Sequence, residues 1–142
     1  MATVTRRMTV PPQRVFDVLS DPKSYQHWVV GASEVVDSDA GWPAVGTTFE
    51  HRVGIWPLRV ADHTRVVDSE PPRMLKLAAK ARPLGTATVI MEMEPDGAGC
   101  IVRMTEGPRD RFTAALFNKA SEPLIKLRNV ESLRRLANLA EG

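Results

Sequence analysis

Residues 112–140 read FTAALFNKASEPLIKLRNVESLRRLANLA, and this stretch decides the fold. Its later part places residues on two sides of a helical wheel. The apolar side carries Ile125, Leu133, Leu136, Ala137 and Ala140, and the polar side carries Glu131, Arg134, Arg135 and Asn138. The pattern predicts a long amphipathic helix with one face to bury. Because Pro123 should interrupt a helix, we expect an entrance segment through Ser121 and then a helix that starts near Pro123.

Asn129 breaks the apolar face, since it lies one turn from both Ile125 and Leu133. A buried amide group needs a hydrogen-bond partner, because leaving it unpaired away from water costs free energy. We therefore expect Asn129 to point at the rest of the fold. Its amide should meet a ligand, a water or a side chain on a strand.

The residues before this helix predict a sheet with two short helices near its start. Prolines and the shared apolar spacing of Val15, Phe16 and Leu19 predict one short helix, and Asp21 can cap a second that runs to Trp28. Runs rich in β-branched residues, separated by short Gly- and Pro-containing links, predict antiparallel strands. The predicted strands are Thr3–Thr9, Glu34–Ser38, Thr47–Val53, Leu58–Ser69, Arg73–Ala81, Thr86–Glu94 and Cys100–Glu106. Residues 1–142 are thus expected to form one α+β domain, a curved antiparallel sheet of about seven strands around the C-terminal helix.

Composition excludes several classes of protein. The net charge is +2 and the basic residues are scattered, so nucleic-acid binding is not expected. There is one cysteine, and the histidines and carboxylates do not cluster as metal ligands, so we expect neither metal nor cofactor. No apolar run approaches the roughly 20 residues of a membrane span, and the first residues lack a signal-peptide pattern, which favours the cytoplasm.

Strand alternation predicts an inner face that is apolar but not purely so. Val89, Met91 and Met93 share one face of their strand, and Met104 faces inward from the next. The same parity turns His51 and Glu106 inward, opposite Asn129 on the helix. A histidine and a carboxylate around a pocket could act as an acid–base pair. Alternatively, each is a buried polar group that is satisfied by a neighbour or a water.

Several stretches resemble a known family. Residues 10–22, VPPQRVFDVLSDP, followed by His27 and Trp28, resemble the opening of the START-related, pollen-allergen-like helix-grip superfamily, also called SRPBCC. Residues 69–75, SEPPRML, resemble its mid-sheet turn, and residues 94–100, EPDGAGC, its last hairpin. Residues 131–136, ESLRRL, resemble the end of its long helix. The order of these matches is similar to that of bacterial polyketide-cyclase/dehydrase-like members.

The resemblance implies the helix-grip fold and a deep cavity between sheet and helix that holds an apolar or amphipathic small molecule. The family has carriers, cyclases and hydrolases but no universal catalytic motif, so fold alone does not fix the function. We expect a lipid- or polyketide-like ligand to contact Trp28, His51, Val89, Met91, Met93, Met104, Glu106, Phe117, Ile125 and Asn129. The alternatives are a cyclase/dehydrase-type enzyme that uses His51 and Glu106 without metal, and a co-chaperone-like interaction module. Monomer and homodimer both stay open.

Overall fold

The computed structural model describes residues 1–53, 60–80, 86–109 and 120–142. Seven strands form one antiparallel sheet in the order β1-β7-β6-β5-β4-β3-β2. The strands are β1 Ala2–Met8, β2 Ala32–Ser38, β3 Thr48–Val53, β4 Val60–Glu70, β5 Met74–Lys80, β6 Thr86–Asp96 and β7 Gly99–Pro108. The helices are α1 Pro12–Leu19, a 3₁₀ turn at Pro22–Ser24, α2 Tyr25–Trp28 and α3 Glu122–Glu141. This architecture confirms the predicted α+β fold.

The sheet is a meander from β2 to β7 that is completed by the first strand. Each strand from β2 onward pairs with the next along the chain, because the links between them are short. β1 pairs instead with β7, so that Ala2 lies opposite Glu106 and Met8 opposite Cys100. The first strand therefore covers the open edge of the last one.

The turn between β6 and β7 is tighter than the sequence predicts. Both strands extend into the predicted Pro95–Gly99 link, and only Gly97 and Ala98 separate them. Gly97 has a φ of +59°, a conformation that glycine adopts without steric cost, and this allows the chain to reverse within two residues. The extra pairing brings Asp96 opposite Gly99.

Helix α3 begins one residue before Pro123, as predicted, and packs along β1 between α1 and α2. Its buried residues are Asn129, Ser132, Leu133, Leu136, Ala137 and Ala140. Its last turn is held by hydrogen bonds to Thr9, which follows β1, and to Arg14 of α1. The Thr9 backbone N–H donates to Glu141 Oε2 at 2.7 Å, and Arg14 Nη2 donates to the Ala140 carbonyl at 3.0 Å. Helix C-termini leave such carbonyls unpaired, so Arg14 also caps the helix.

Parts of three predicted segments lie beyond the described residues. Most of the entrance segment through Ser121 lies there, and so do the predicted start of the fourth strand at Leu58 and the predicted end of the fifth at Ala81. The second predicted helix is a 3₁₀ turn that continues into a single α-turn ending at Trp28. Asp21 caps its start, as predicted, because its side chain accepts a hydrogen bond from the backbone N–H of Lys23. Within the described ranges, no helix is both long and apolar enough to cross a membrane.

Candidate functional site

Asn129 lies where α3 faces the sheet, and it meets a strand side chain as predicted. Its side chain is fully buried, and Nδ2 donates to Glu106 Oε1 at 3.0 Å. Asn129 stands on the buried face because it is one helical turn before Leu133. This hydrogen bond joins the middle of α3 to β7.

Glu106 faces the helix because alternate residues of β7 point inward. It is 7% exposed and lies opposite Val89 of β6. Arg128 Nη2 forms an ion pair with the same carboxylate, while the rest of the Arg128 side chain stays partly in solvent. The cation and the amide together satisfy a carboxylate that would otherwise be costly to bury.

His51 occupies the inner face of β3, which confirms its predicted orientation. Its Nε2 is 3.0 Å from Thr64 Oγ1, and Asp62 lies directly opposite on β4. Burial lowers the pKa of His51 below its ordinary value, although the Asp62 carboxylate acts in the opposite direction. The imidazole is therefore neutral near pH 7.

His51 and Glu106 belong to separate hydrogen-bond networks. Three strands, β4, β5 and β6, lie between the two residues. Four steps between neighbouring strands correspond to about 19 Å along the sheet. The two groups therefore do not form a bonded acid–base dyad. Acting on one substrate, they would have to work at different ends of it.

Trp28, an expected ligand contact, is fully buried at the end of α2. Its ring centroid is 5.1 Å from that of Tyr25, which in turn is 4.9 Å from Phe49. Phe49 contacts His51 edge to face at 5.5 Å, and Trp42 closes the group. Large aromatic rings bury much apolar surface, and these rings come from several elements of the fold. Trp28 and His51 thus share one aromatic cluster.

The predicted apolar lining is buried on the inner face of the sheet. Met91 and Met104 lie opposite each other on β6 and β7, and both are almost inaccessible to solvent. Val89 and Met93 flank Met91 on the same face, so the predicted alternation of β6 is confirmed. Methionine side chains are flexible and polarizable, and they adapt to irregular shapes.

Among the residues that the structure describes, two buried side-chain polar atoms have no hydrogen-bond partner. They are the indole Nε1 of Trp28 and the amide Oδ1 of Asn129. Both side chains are at most 1% exposed. Buried polar groups in folded proteins are nearly always paired, so each such atom requires an explanation.

The remaining predicted contacts are less central. Ile125 is half-buried, and Phe117 lies outside the described residues. Sequence reasoning missed Arg128 and left open the facing of the Asp62–Thr64 run. Asp62, Thr64 and Val66 are alternate residues of β4, and all three are buried. Their period of two, which ends on an apolar valine, is the pattern that could have predicted which side of this run faces inward. The predicted burial of Glu106 also indicated that a cation such as Arg128 should lie nearby, because a buried charge is costly without a partner.

Two other features complete the description. A cleft of about 300 Å³ lies on the outer side of β6 and β7, and its lining includes Glu92, Arg103 and Arg73. Its charged side chains differ from the apolar lining that was predicted for a ligand site. Across the described part of the chain, no three His, Cys, Asp or Glu side chains come together as a metal site would require.

Comparison with known proteins places the fold and the family. Protein CV1439 from Chromobacterium violaceum has a TM-score of 0.74 at 20% identity, covering 99% of this chain and 96% of its own. Protein NE0264 from Nitrosomonas europaea also has a TM-score of 0.74, at 15% identity, with 98% and 92% covered. Ara h 8.0201 has a TM-score of 0.72 at 8% identity, with 97% and 95% covered. At these identities the likeness shows the shared fold alone.

Among curated proteins, none matches this sequence. The family model described as "Polyketide cyclase / dehydrase and lipid transport" matches residues 1–141. The match spans every strand and helix described above. The chain therefore belongs to the polyketide cyclase/dehydrase and lipid transport family and has its helix-grip fold.

Proposed function

We propose that this protein binds an apolar or aromatic small molecule, lipid- or polyketide-like, between the inner face of the sheet and α3. The family and the fold support a ligand-binding or polyketide-related role. The observation that carries the proposal is the pair of unpartnered polar atoms in a mostly apolar interior, on Trp28 and Asn129. Bound polar groups that pair these atoms would remove the cost of leaving them unpaired.

The other predicted contacts have matching roles in this proposal. Met91 and Met104, with Val89 and Met93, supply adaptable apolar surface on the sheet side. Ile125 extends that surface from the α3 side, and Phe117, the other contact predicted from this part of the sequence, lies outside the described residues. Glu106 accepts the 3.0 Å hydrogen bond from Asn129 and thereby orients the Asn129 amide. In this way Glu106 acts on the ligand through Asn129 as well as directly. His51 and Trp28 supply the predicted ligand contacts in the aromatic cluster.

A thermal-shift screen of lipids, flavonoids and polyketide-like aromatics tests this function. A compound that binds only the folded protein raises the melting temperature. The shift should shrink in Asn129→Ala and persist in Asn138→Ala, which removes an exposed asparagine from the same helix. If no compound in a broad panel raises the melting temperature, the binding function is rejected, and the interaction-module alternative gains support.

The enzymatic alternative rests on one specific observation. His51 is neutral near pH 7 and bonded to Thr64, so its imidazole could accept a proton from a substrate that reaches β3. Turnover of a polyketide-like substrate by the wild type, and its loss in His51→Gln with ligand binding retained, would establish this activity. Equal turnover by both proteins would exclude His51 as the base.

A further inference from the structure

Thr64 places a buried hydroxyl group beside the imidazole of His51. It is 5% exposed on the inner face of β4, and its Oγ1 lies 3.0 Å from Nε2 of His51 on β3. A hydroxyl group within hydrogen-bond distance of an imidazole is the arrangement that activates serine or threonine as a nucleophile, because the imidazole can remove the hydroxyl proton.

His51 is in the protonation state that this activation requires. Burial lowers its pKa, so the ring is neutral near pH 7 and can accept a proton. A hydrogen bond with the backbone of His63 acts to raise the pKa of His51, as a carbonyl that accepts from the ring N–H does. A neutral imidazole has only one N–H, so its other nitrogen is an acceptor. For Nε2 the donor at hydrogen-bond distance is the Thr64 hydroxyl.

Asp62 supplies a buried negative charge near the same imidazole. It is 3% exposed and lies directly opposite His51 in the antiparallel register of β3 and β4. Burial has the largest effect on the pKa of His51, and the Asp62 carboxylate opposes it. A carboxylate in this place stabilises the imidazolium that forms when His51 takes a proton. Hydroxyl, imidazole and carboxylate thus stand on two neighbouring strands, with the three roles that acyl transfer requires.

Aromatic rings border the Thr64 hydroxyl. Phe49 lies directly opposite Thr64 and meets the His51 ring edge to face at 5.5 Å. Trp42 and Tyr25 pack against Phe49 in turn. Because Thr64 is almost inaccessible to solvent, a compound that reaches its hydroxyl must enter this interior. Apolar and aromatic acyl compounds are the class that such surroundings accept.

Resting on the proposed ligand-binding function, we infer that Thr64 is the nucleophile of an acyl-transfer site that accepts apolar or aromatic esters. Thr64 Oγ1 forms a bond to the ester carbonyl carbon while its proton passes to His51 Nε2. The bond from that carbon to the leaving oxygen then breaks, and the leaving oxygen takes the proton from His51. The products of this step are the free alcohol and an acyl group on Thr64.

A water molecule completes the cycle through the same groups. It gives a proton to His51 Nε2 as its oxygen attacks the acyl carbon. The bond from that carbon to Thr64 Oγ1 breaks, and Oγ1 takes the proton back from His51 as the carboxylic acid leaves.

4-Nitrophenyl butyrate tests the inference, because it is an apolar aromatic ester that releases a coloured alcohol. The full chain is mixed with the ester, quenched in acid, digested with trypsin and analysed by mass spectrometry. The expected result is a butyryl group on the peptide of residues 60–65, VADHTR. Thr64 is the only hydroxyl side chain of this peptide, and the peptide contains no lysine, so the adduct identifies the residue.

Two pairs of variants separate the roles of the hydroxyl and the imidazole. Thr64→Val keeps the shape of the side chain but lacks the hydroxyl, so it should not be acylated, whereas Thr64→Ser should be. His51→Gln should slow the acylation of Thr64 by about 100-fold or more, since a positioned general base contributes at least that factor. His27→Gln, which changes an exposed histidine of α2, should react as the wild type does.

N-(4-Nitrophenyl)butanamide separates the inference from its premise. It resembles the ester in shape but has a far less reactive carbonyl group, so calorimetry with it measures binding without reaction. If the amide binds and the ester leaves no butyryl group on Thr64, acyl transfer is overturned while the ligand-binding function stands. If the amide does not bind and Thr64 is not acylated, the inference fails together with its premise. The site of acylation in the wild type decides the matter even if a variant does not fold.

Discussion

Glu106 shows how one buried carboxylate can be tolerated between a sheet and a helix. Its carboxylate accepts from the buried amide of Asn129 and from the half-exposed guanidinium of Arg128. The bond to Asn129 is within the interior, where an unpaired donor is costly, whereas the Arg128 pair is partly screened by water. The acceptor oxygen should therefore contribute more to stability than the negative charge.

We predict that Glu106→Ala lowers the free energy of unfolding by about 2–3 kcal/mol, because it leaves the Asn129 amide unpaired. Glu106→Gln keeps an acceptor for Asn129 and loses only the charge, so it should cost about 1 kcal/mol or less. Urea unfolding of the two variants measures both values. An equal loss in both variants would show that the charge, and not the acceptor, stabilises this contact.

The burial of His51 predicts how the free energy of unfolding depends on pH. Because burial lowers its pKa in the folded protein below the ordinary 6.5, the unfolded chain binds a proton more readily. Stability from this group is thus complete above about pH 6.5 and is lost as pH falls below it. His51→Gln should flatten this part of the profile of unfolding free energy against pH.

The control for this profile is His27→Gln, which changes an exposed histidine on α2. It should leave the loss of stability below about pH 6.5 as in the wild type. A His51→Gln profile that is as steep as the wild type would show that another group causes the loss at acid pH.

At the scale of elements, α3 offers two leucines in contrasting places. Leu133 is 1% exposed on the face toward the sheet, whereas Leu127 is 69% exposed. Because both residues are leucines in the same helix, replacing each by alanine changes the intrinsic helix propensity equally. Any difference in stability between the two variants therefore reflects the difference in burial. The apolar spacing in the sequence predicted the burial of Leu133 from its period alone.

We expect Leu133→Ala to lower the free energy of unfolding by about 2–5 kcal/mol, since it removes buried methyl groups and leaves a cavity. Leu127→Ala should change it by about 0.5 kcal/mol or less. Chemical denaturation measures both. A large loss from Leu127→Ala would mean that this exposed leucine is covered in solution by another surface.

At the scale of the whole molecule, the sheet has two sides that could receive a ligand. The inner side carries the apolar residues and faces Asn129 of α3, and the outer side holds the cleft near Arg103 and Glu92. A ligand bound inside the fold contacts both the sheet and α3, so its binding energy is linked to unfolding of the entire chain.

For a compound present at 100 times its Kd, we expect about 2.7 kcal/mol of stabilisation, which corresponds to roughly 8–10 °C in Tm for a chain of this size. The shift should survive Arg103→Ala on the outer face and diminish in Asn129→Ala. Differential scanning calorimetry with the best compound of the screen measures it. A shift that is abolished by Arg103→Ala alone would place the ligand on the outer side.

The length of each helix and strand was predictable because it depends on local properties. Proline and glycine mark the ends of strands and helices, and the bounds of the described elements agree with the predictions to within about two residues. The parity of β3, β6 and β7 followed from the period of two in an extended chain, and it correctly turned His51, Met91 and Glu106 inward. The turn at Gly97 was tighter because a positive φ at one glycine saved several residues.

By itself the sequence determined the order and type of the elements, the buried face of α3 and the need of Asn129 for a partner. These follow from the periodicity of helices and strands and from the cost of an unpaired buried amide. Only the tertiary structure decided that β1 pairs with β7, that Arg128 reaches Glu106, that three strands separate His51 from Glu106, and that Trp28 Nε1 is unpaired. Such contacts join residues far apart in the chain, and they are set by how all the elements pack together, which no local pattern encodes.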